Sequence, residues 1–211
     1  STGIADDGMA SLASANLKPA DWVVVVAKAD SMCRKRRFAE ALQAFQIAQE
    51  IDPKKFESRL GIFLCAQHMG REEEALSGFL EIEADFPGRQ EIHNAIGCLY
   101  YGQGRIAEAK RAHERALEVD PRHPDTLLYL SGIAIKLDEA RLALTLAEQA
   151  LKLDPDPNSA NRTLAVALSC NNRFSEALET VNRAVEVSEP GDASALLVLA
   201  NIYEGMKDRA N

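Results

Sequence analysis

Residues 90–123 read QEIHNAIGCLYYGQGRIAEAKRAHERALEVDPRH. Apolar and small side chains recur at helical spacing in 92–100 and again in 106–119, on either side of Gly102-Gln103-Gly104. Asp120-Pro121 ends the second run, because proline has no N–H to donate and clashes with the preceding turn. The stretch therefore predicts a hairpin of two helices.

The same hairpin recurs every 34 residues along most of the chain. Prolines keep this spacing at Pro53, Pro87, Pro121 and Pro155. Alanines keep it at Ala41, Ala75, Ala109, Ala143 and Ala177. A second column holds Ala48, Ile82, Ala116, Ala150 and Ala184. Because several independent columns share one phase, the sequence predicts an array of helical repeats.

The phase places complete repeats at residues 22–55, 56–89, 90–123, 124–157 and 158–191. Residues 1–21 are predicted to be a degenerate capping helix of a preceding repeat, with the helix over Ala5 to Leu17, and a linker. Residues 193–211 are predicted to be the first helix of a sixth repeat or a C-terminal cap.

Composition and charge exclude several function classes. A net charge of −8 argues against nucleic-acid binding, which needs a basic face to displace counterions from phosphates. No apolar run approaches the roughly 18 residues that span a membrane. The four cysteines form no CxxC pair, which favours free thiols in a reducing compartment over disulfides or zinc. We therefore expect a cytoplasmic protein, with Arg34-Lys35-Arg36-Arg37 leaving nuclear import open.

Two motifs imitate sites for cofactors or metals. Gly102 to Ala107 has the GxGxxA pattern of dinucleotide-binding turns but follows a predicted helix instead of the required strand. His113-Glu114 begins a HExxH zinc motif, but Leu117 stands where the second histidine must be. No nucleophilic or paired-carboxylate constellation can be assembled. The sequence predicts no cofactor, no metal and no enzymatic activity.

A 34-residue hairpin with alanine in its second helix and a closing proline resembles the tetratricopeptide repeat. The third repeat carries the signature at Ile96-Gly97, Tyr100, Ala109, Ala116 and Pro121. Phe45 and Phe79 match the family's second-helix aromatic residue, which His113, Ala147 and Val181 replace. The resemblance implies an all-α, right-handed α-solenoid of antiparallel helix hairpins. In this family the first helices line a concave groove that holds a segment of another protein.

The resemblance also assigns groove-facing positions. The apolar floor would contain Val26, Leu60, Leu64, Tyr101, Leu128, Tyr129, Ile135 and Val166, and Cys98 would also face the groove. Gln67, Asn94 and Arg162 would fix the partner's backbone. The family subset that grips acidic chaperone tails uses lysines, arginine and asparagines at these positions. Here they are mostly apolar or acidic, so an acidic-tail clamp is rejected. The alternative is that neighbouring helices cover these side chains and leave no groove.

We therefore expect a non-enzymatic scaffold or adaptor that binds an extended or helical segment of another protein. Two alternatives stay open at this point. The chain could be a docking or regulatory segment of a larger enzyme or multisubunit complex, or a chaperone that shields apolar client segments. Self-association is possible under each of them.

Overall fold

The computed structural model describes residues 18–153, 157–187 and 193–210, and within these ranges it contains helices and no strand. A short 3-10 turn at Pro19–Asp21 precedes the first α-helix. The helices are α1 (Trp22–Arg34), α2 (Phe38–Ile51), α3 (Phe56–His68), α4 (Glu72–Asp85), α5 (Gln90–Gly102), α6 (Ile106–Val119), α7 (Pro124–Lys136), α8 (Ala140–Leu153), α9 (Pro157–Cys170), α10 (Phe174–Val187) and α11 (Ala193–Ala210). The helix expected over Ala5 to Leu17 lies outside the described residues.

The chain divides into two compact units, Ser1–Gln103 and Gly104–Asn211. We call them unit 1, which contains α1 to α5, and unit 2, which contains α6 to α11. Consecutive helices pack on one another within each unit, as expected for short connections between antiparallel neighbours.

A left-handed residue ends the turn inside every hairpin. Positive φ angles recur every 34 residues, at Arg36 (59°), Gly70 (79°), Gly104 (74°), Asp138 (59°) and Asn172 (65°). Glycine takes this conformation without strain, and Asp and Asn tolerate it better than other residues do. Arg36 is the exception, because its turn holds a larger side chain in the same backbone conformation.

The alanine columns lie at the centre of the packing. Each member of both columns is fully buried, including Ile82, which replaces alanine in the second column. A small side chain lets two helices approach closely, and a larger one there would overpack the contact at a cost of about 1–3 kcal/mol. The two columns therefore mark the positions at which neighbouring helices are in contact.

The core of unit 1 joins its first three helices. Val25, Ala29 and Met32 of α1 pack with Ala44 and Phe45 of α2, and the same cluster includes buried residues of α3. Burial of these apolar side chains stabilises the packing of α1, α2 and α3, by roughly 25 cal/mol for each Å² of apolar surface removed from water.

Two apolar clusters lie among the described residues of unit 2. The larger one joins α7 to α11 and includes Ala134, Leu164, Leu168, Val181 and Ile202. The smaller one contains Leu127, Leu128, Ala150 and Ala160. These clusters align the hairpins α7–α8 and α9–α10.

Arginine–glutamate pairs mark the starts of most second helices. In four repeats an arginine forms an ion pair with the glutamate three residues after it, in Arg37–Glu40, Arg71–Glu74, Arg105–Glu108 and Arg173–Glu176. The arginine at each of these positions precedes the helix, and the glutamate lies in its first turn, where a carboxylate complements the helix dipole. In the fourth repeat Glu139 replaces the arginine and pairs with Lys110 at 3.2 Å.

Candidate functional site

A cleft of about 390 Å³ opens on one side of unit 1. Its walls come from the first helices of two successive repeats, α1 and α3. The described residues that line it are Trp22, Val26, Asp30, Cys33, Phe45, Phe56, Glu57, Leu60, Gly61, Leu64, His68 and Glu91. The volume is in the range of sites that take a small ligand or one or two side chains of a partner.

Helical periodicity places the lining side chains on common faces. Trp22, Val26 and Asp30 follow one another at intervals of four residues along α1. Leu60 and Leu64 have the same spacing along α3. Residues four apart lie one above the other on a helix, so each helix presents a continuous stripe to the cleft.

Phe45 and Gly61 form the back of the cleft. The Phe45 ring comes from α2 and is 4% exposed. A Cβ atom at Gly61 would lie 2.5 Å from Cε1 of that ring. Glycine at this position lets the ring pack directly on the α3 backbone, because the ring occupies the place of a Cβ atom.

Polar contacts hold the walls in place. The Trp22 indole N–H donates to Oγ of Ser58, at 2.8 Å, which joins the start of α1 to α3. Lys55 Nζ lies 5.2 Å from the centroid of the Trp22 ring. At the other end, the His68 ring stacks on Phe38 with centroids 4.5 Å apart. The cleft is therefore anchored at both ends by interactions between successive repeats.

The rim of the cleft is acidic. Asp30, Glu57 and Glu91 line it with exposed side chains, and no lysine or arginine is among the described lining residues. None of the three carboxylates forms an ion pair within the described part of the chain. The cleft thus combines an apolar floor with a rim of three carboxylates that form no ion pair among the described residues.

Two thiols lie beside the floor. The sulfur atoms of Cys33 and Cys65 are 3.7 Å apart, and both cysteines are free. Burial raises the pKa of Cys65 to about 12, with Cys33 and the Asp30 carboxylate acting in the same direction. Burial also raises the pKa of Cys33. Because the thiolate is the nucleophile, a raised pKa keeps these two thiols in their less nucleophilic, protonated form at neutral pH.

Three of the residues predicted for the apolar floor meet in this cleft: Val26, Leu60 and Leu64. The sequence interpretation did not assign Trp22 and Phe56 to it, and it assigned Phe45 only as the repeat's aromatic residue. The 34-residue column of Phe45 was visible in the sequence, but the column does not show which side of the ring faces solvent.

The other predicted residues of unit 1 lie outside the lining. Gln67 on α3 and Asn94 and Cys98 on α5 are half-buried, and Tyr101 is 37% exposed. They remain candidates for contacts with a longer partner segment.

In unit 2 the assignment of Leu128 to a groove floor is corrected. Its side chain is 8% exposed and packs with Leu127, Ala150 and Ala160 in the core. Neighbouring helices cover it, so it cannot contact a partner without disrupting the core.

The remaining predicted residues of unit 2 are more accessible. Tyr129 is 46% exposed and stacks on His113, with ring centroids 4.8 Å apart. Arg162 is half-buried and donates to Oδ1 of Asn158 at 3.3 Å. Ile135 is half-buried against the larger cluster, and Val166 is half-buried on α9.

The described residues contain no group of three or more His, Cys, Asp or Glu side chains that could hold a metal ion. Among the helices described, none combines the length and the apolar character needed to cross a membrane.

The family model of the tetratricopeptide repeat matches residues 94–160 and 133–186. A thermophilic tetratricopeptide repeat protein of Thermus thermophilus superposes with a TM-score of 0.71 at 20% identity, over 88% of this chain and 98% of that one. Residues 94–186 therefore match the tetratricopeptide repeat family. This confirms the all-α solenoid class of antiparallel helix hairpins.

A second tetratricopeptide structure is that of YrrB, described as having an unusual peptide-binding site. It superposes with a TM-score of 0.61 at 21% identity, over 80% of this chain and 86% of that one. At this level of identity, the likeness shows a shared fold.

Curated relatives match part of the chain at 27–30% identity. The chain is 27% identical to the protein CTR9 homolog of Arabidopsis thaliana over 152 residues, 70% of this chain and 14% of the relative. It is 30% identical over 89 residues to the probable UDP-N-acetylglucosamine–peptide N-acetylglucosaminyltransferase SPINDLY of Solanum lycopersicum, 42% of this chain and 10% of the relative. The chain thus spans only a small part of the length of these relatives.

Proposed function

We propose that this protein is a non-enzymatic scaffold or adaptor and that the unit 1 cleft holds an extended or helical segment of a partner protein. The observation that carries the proposal is the open apolar floor formed by Val26, Leu60 and Leu64 on the first helices of two repeats. Apolar anchors of a bound segment would bury against these side chains, as in other helical grooves.

Three features support this proposal. Apolar side chains left open in a concave site commonly mark a binding surface. Tetratricopeptide repeats generally form interaction modules without catalytic activity, and the family assignment rests on the repeat region itself. YrrB, which shares the fold, has a peptide-binding site.

A second candidate function is a docking segment within a larger protein. The match to 10% of a probable peptide N-acetylglucosaminyltransferase and to 14% of the CTR9 homolog favours it. In that case the cleft would recruit a substrate or a subunit to machinery elsewhere. Both candidates use the same cleft, so one experiment on the cleft tests the binding step of each.

The test compares proteins captured from native lysate by the wild-type chain and by two variants. Leu64→Asp places a charge on the cleft floor. Leu80→Asp is the matched control, because Leu80 is 45% exposed on α4 and does not line the cleft. We expect Leu80→Asp to retain the captured partner and Leu64→Asp to lose it, as identified by mass spectrometry.

Circular dichroism of both variants controls for folding. Leu60→Ser, on the same wall, gives the same comparison with a smaller change. Equal capture by the wild type, Leu64→Asp and Leu60→Ser would show that the partner binds elsewhere.

A further inference from the structure

We propose that the unit 1 cleft selects a partner segment in which an apolar side chain is flanked by lysine or arginine. This inference rests on the proposed function and adds the chemistry of the ligand to it. The observation behind it is the placement of three carboxylates around one apolar floor.

The three acidic side chains come from three different helices. Asp30 lies on α1, Glu57 on α3 and Glu91 on α5, and all three line the same cleft. Their negative charge is therefore a property of the cleft as assembled by the fold, and no single helix carries it.

These carboxylates are available to a ligand. All three are exposed, and none forms an ion pair among the residues that the structure describes. By contrast, Glu40, Glu108 and Glu176 at the helix starts are each paired with an arginine. The chain thus neutralises acidic groups at its turns and leaves them unneutralised around the cleft.

Cations near the cleft do not reverse its sign. Lys55 lies over the Trp22 ring and Arg89 over the Phe56 ring, 5.2 and 4.5 Å from the ring centroids, and Arg34 lies at the exposed C-terminal end of α1. None of the three is among the residues that line the floor or rim. A net charge of −8 on the whole chain adds a long-range attraction for a basic segment.

The apolar floor specifies the second part of the ligand. A cleft of about 390 Å³ between Val26, Leu60 and Leu64 accommodates an aliphatic or aromatic side chain. A purely basic segment would leave this floor empty, and a purely apolar one would leave the carboxylates without partners. A segment with both features satisfies the whole site.

The test selects phage-displayed random heptapeptides on the immobilised full chain. Parallel selections use Leu64→Asp and the isosteric triple variant Asp30→Asn, Glu57→Gln, Glu91→Gln. The matched control is Glu81→Gln, Glu114→Gln, Glu118→Gln. It makes the same change in net charge at exposed positions outside the cleft. We expect peptides with an apolar residue beside lysine or arginine to be enriched on the wild type and the control, and lost on the other two.

Affinities of a selected tryptophan-free peptide are then measured through Trp22, the single tryptophan of the chain, whose ring lines the cleft. Losing the three carboxylates should weaken binding about tenfold, since each exposed ion pair contributes modestly. Raising the NaCl concentration from about 0.05 to about 0.5 M should weaken wild-type binding, because salt screens exposed charges. This salt dependence is measured on the wild type and does not depend on a variant folding.

The outcomes separate the two proposals. Enriched acidic or uncharged peptides that still require Leu64 would overturn the charge preference and leave the cleft function standing. Enriched basic peptides that lack an apolar residue and also bind Leu64→Asp would overturn the proposed selectivity, because they would be held by surface charge alone. Enrichment of no peptide above the Leu64→Asp background would overturn both.

Discussion

The two units fill one repeat position in different ways. The second helices of unit 1 carry Phe45 and Phe79 there, and those of unit 2 carry His113, Ala147 and Val181. Every one of these side chains is buried, with at most 4% exposed. The repeat therefore specifies burial at this position, and the identity of the side chain is set by its local neighbours.

The neighbours differ accordingly. In unit 1, Gly61 makes room for the Phe45 ring, and Phe63 meets Phe79 edge-on with ring centroids 6.3 Å apart. In unit 2, leucines pack around the smaller Ala147 and Val181. In unit 1 the aromatic ring of Phe45 therefore has a second role, because it also forms the back of the cleft.

Removing an aromatic ring should have the largest effect. Phe79→Ala leaves a cavity at a fully buried site, and we expect unit 1 to lose about 3–5 kcal/mol of unfolding free energy. Urea denaturation followed by Trp22 fluorescence measures it within unit 1. The neighbouring change Leu80→Ala, at a site 45% exposed, should cost about 0.5 kcal/mol or less. Equal losses in the two variants would contradict this view of the aromatic core.

The histidine of unit 2 should make that unit sensitive to acid. Burial lowers the pKa of His113 to about 4 from its ordinary value of 6.5. Between these two pH values the unfolded chain binds a proton that the folded chain does not, so stability falls as the pH drops through this window. The slope is at most about 1.4 kcal/mol per pH unit.

The variant His113→Phe installs the residue type found in unit 1 and removes this contribution. We expect its loss of stability between pH 7 and pH 4.5 to be smaller than that of the wild type, as measured by denaturation at each pH. An unchanged slope in His113→Phe would show that other groups cause the acid sensitivity.

Two glycine substitutions should have opposite signs and the smallest effects. Gly61→Ala would force the Phe45 ring to move within its cluster, at a cost of about 1–3 kcal/mol. Gly132→Ala in α7 meets no heavy atom within 4 Å and should stabilise the chain by about 0.5–1 kcal/mol. Thermal unfolding of the two variants checks this, and a stabilising Gly61→Ala would contradict the packing of Phe45 on α3.

The 34-residue period predicted the helical class because residues that repeat in sequence are buried in the same way in each hairpin. The residues of the two alanine columns are evenly spaced, and all of them are buried between helices. The turns that contain glycine could be predicted as well, since only a few residue types tolerate positive φ. The left-handed conformation of Arg36 could not be predicted, because arginine has no preference for it.

The candidate site was predicted in part. The repeat phase predicted Val26, Leu60 and Leu64 because it assigns these positions of the first helices to the groove, and all three line the cleft. It misplaced Leu128 because Leu127 and Leu128 are adjacent and both apolar, and both turn out to be buried. Trp22 and Phe56 were missed because their placement depends on packing between successive repeats, which local sequence does not encode.

Hydrogen exchange of the intact chain with and without its captured partner tests the central claim most directly. If the partner segment lies in the unit 1 cleft, amides of α1 and α3 should exchange more slowly in the complex. Protection confined to α4 or to the helices of unit 2 would contradict it.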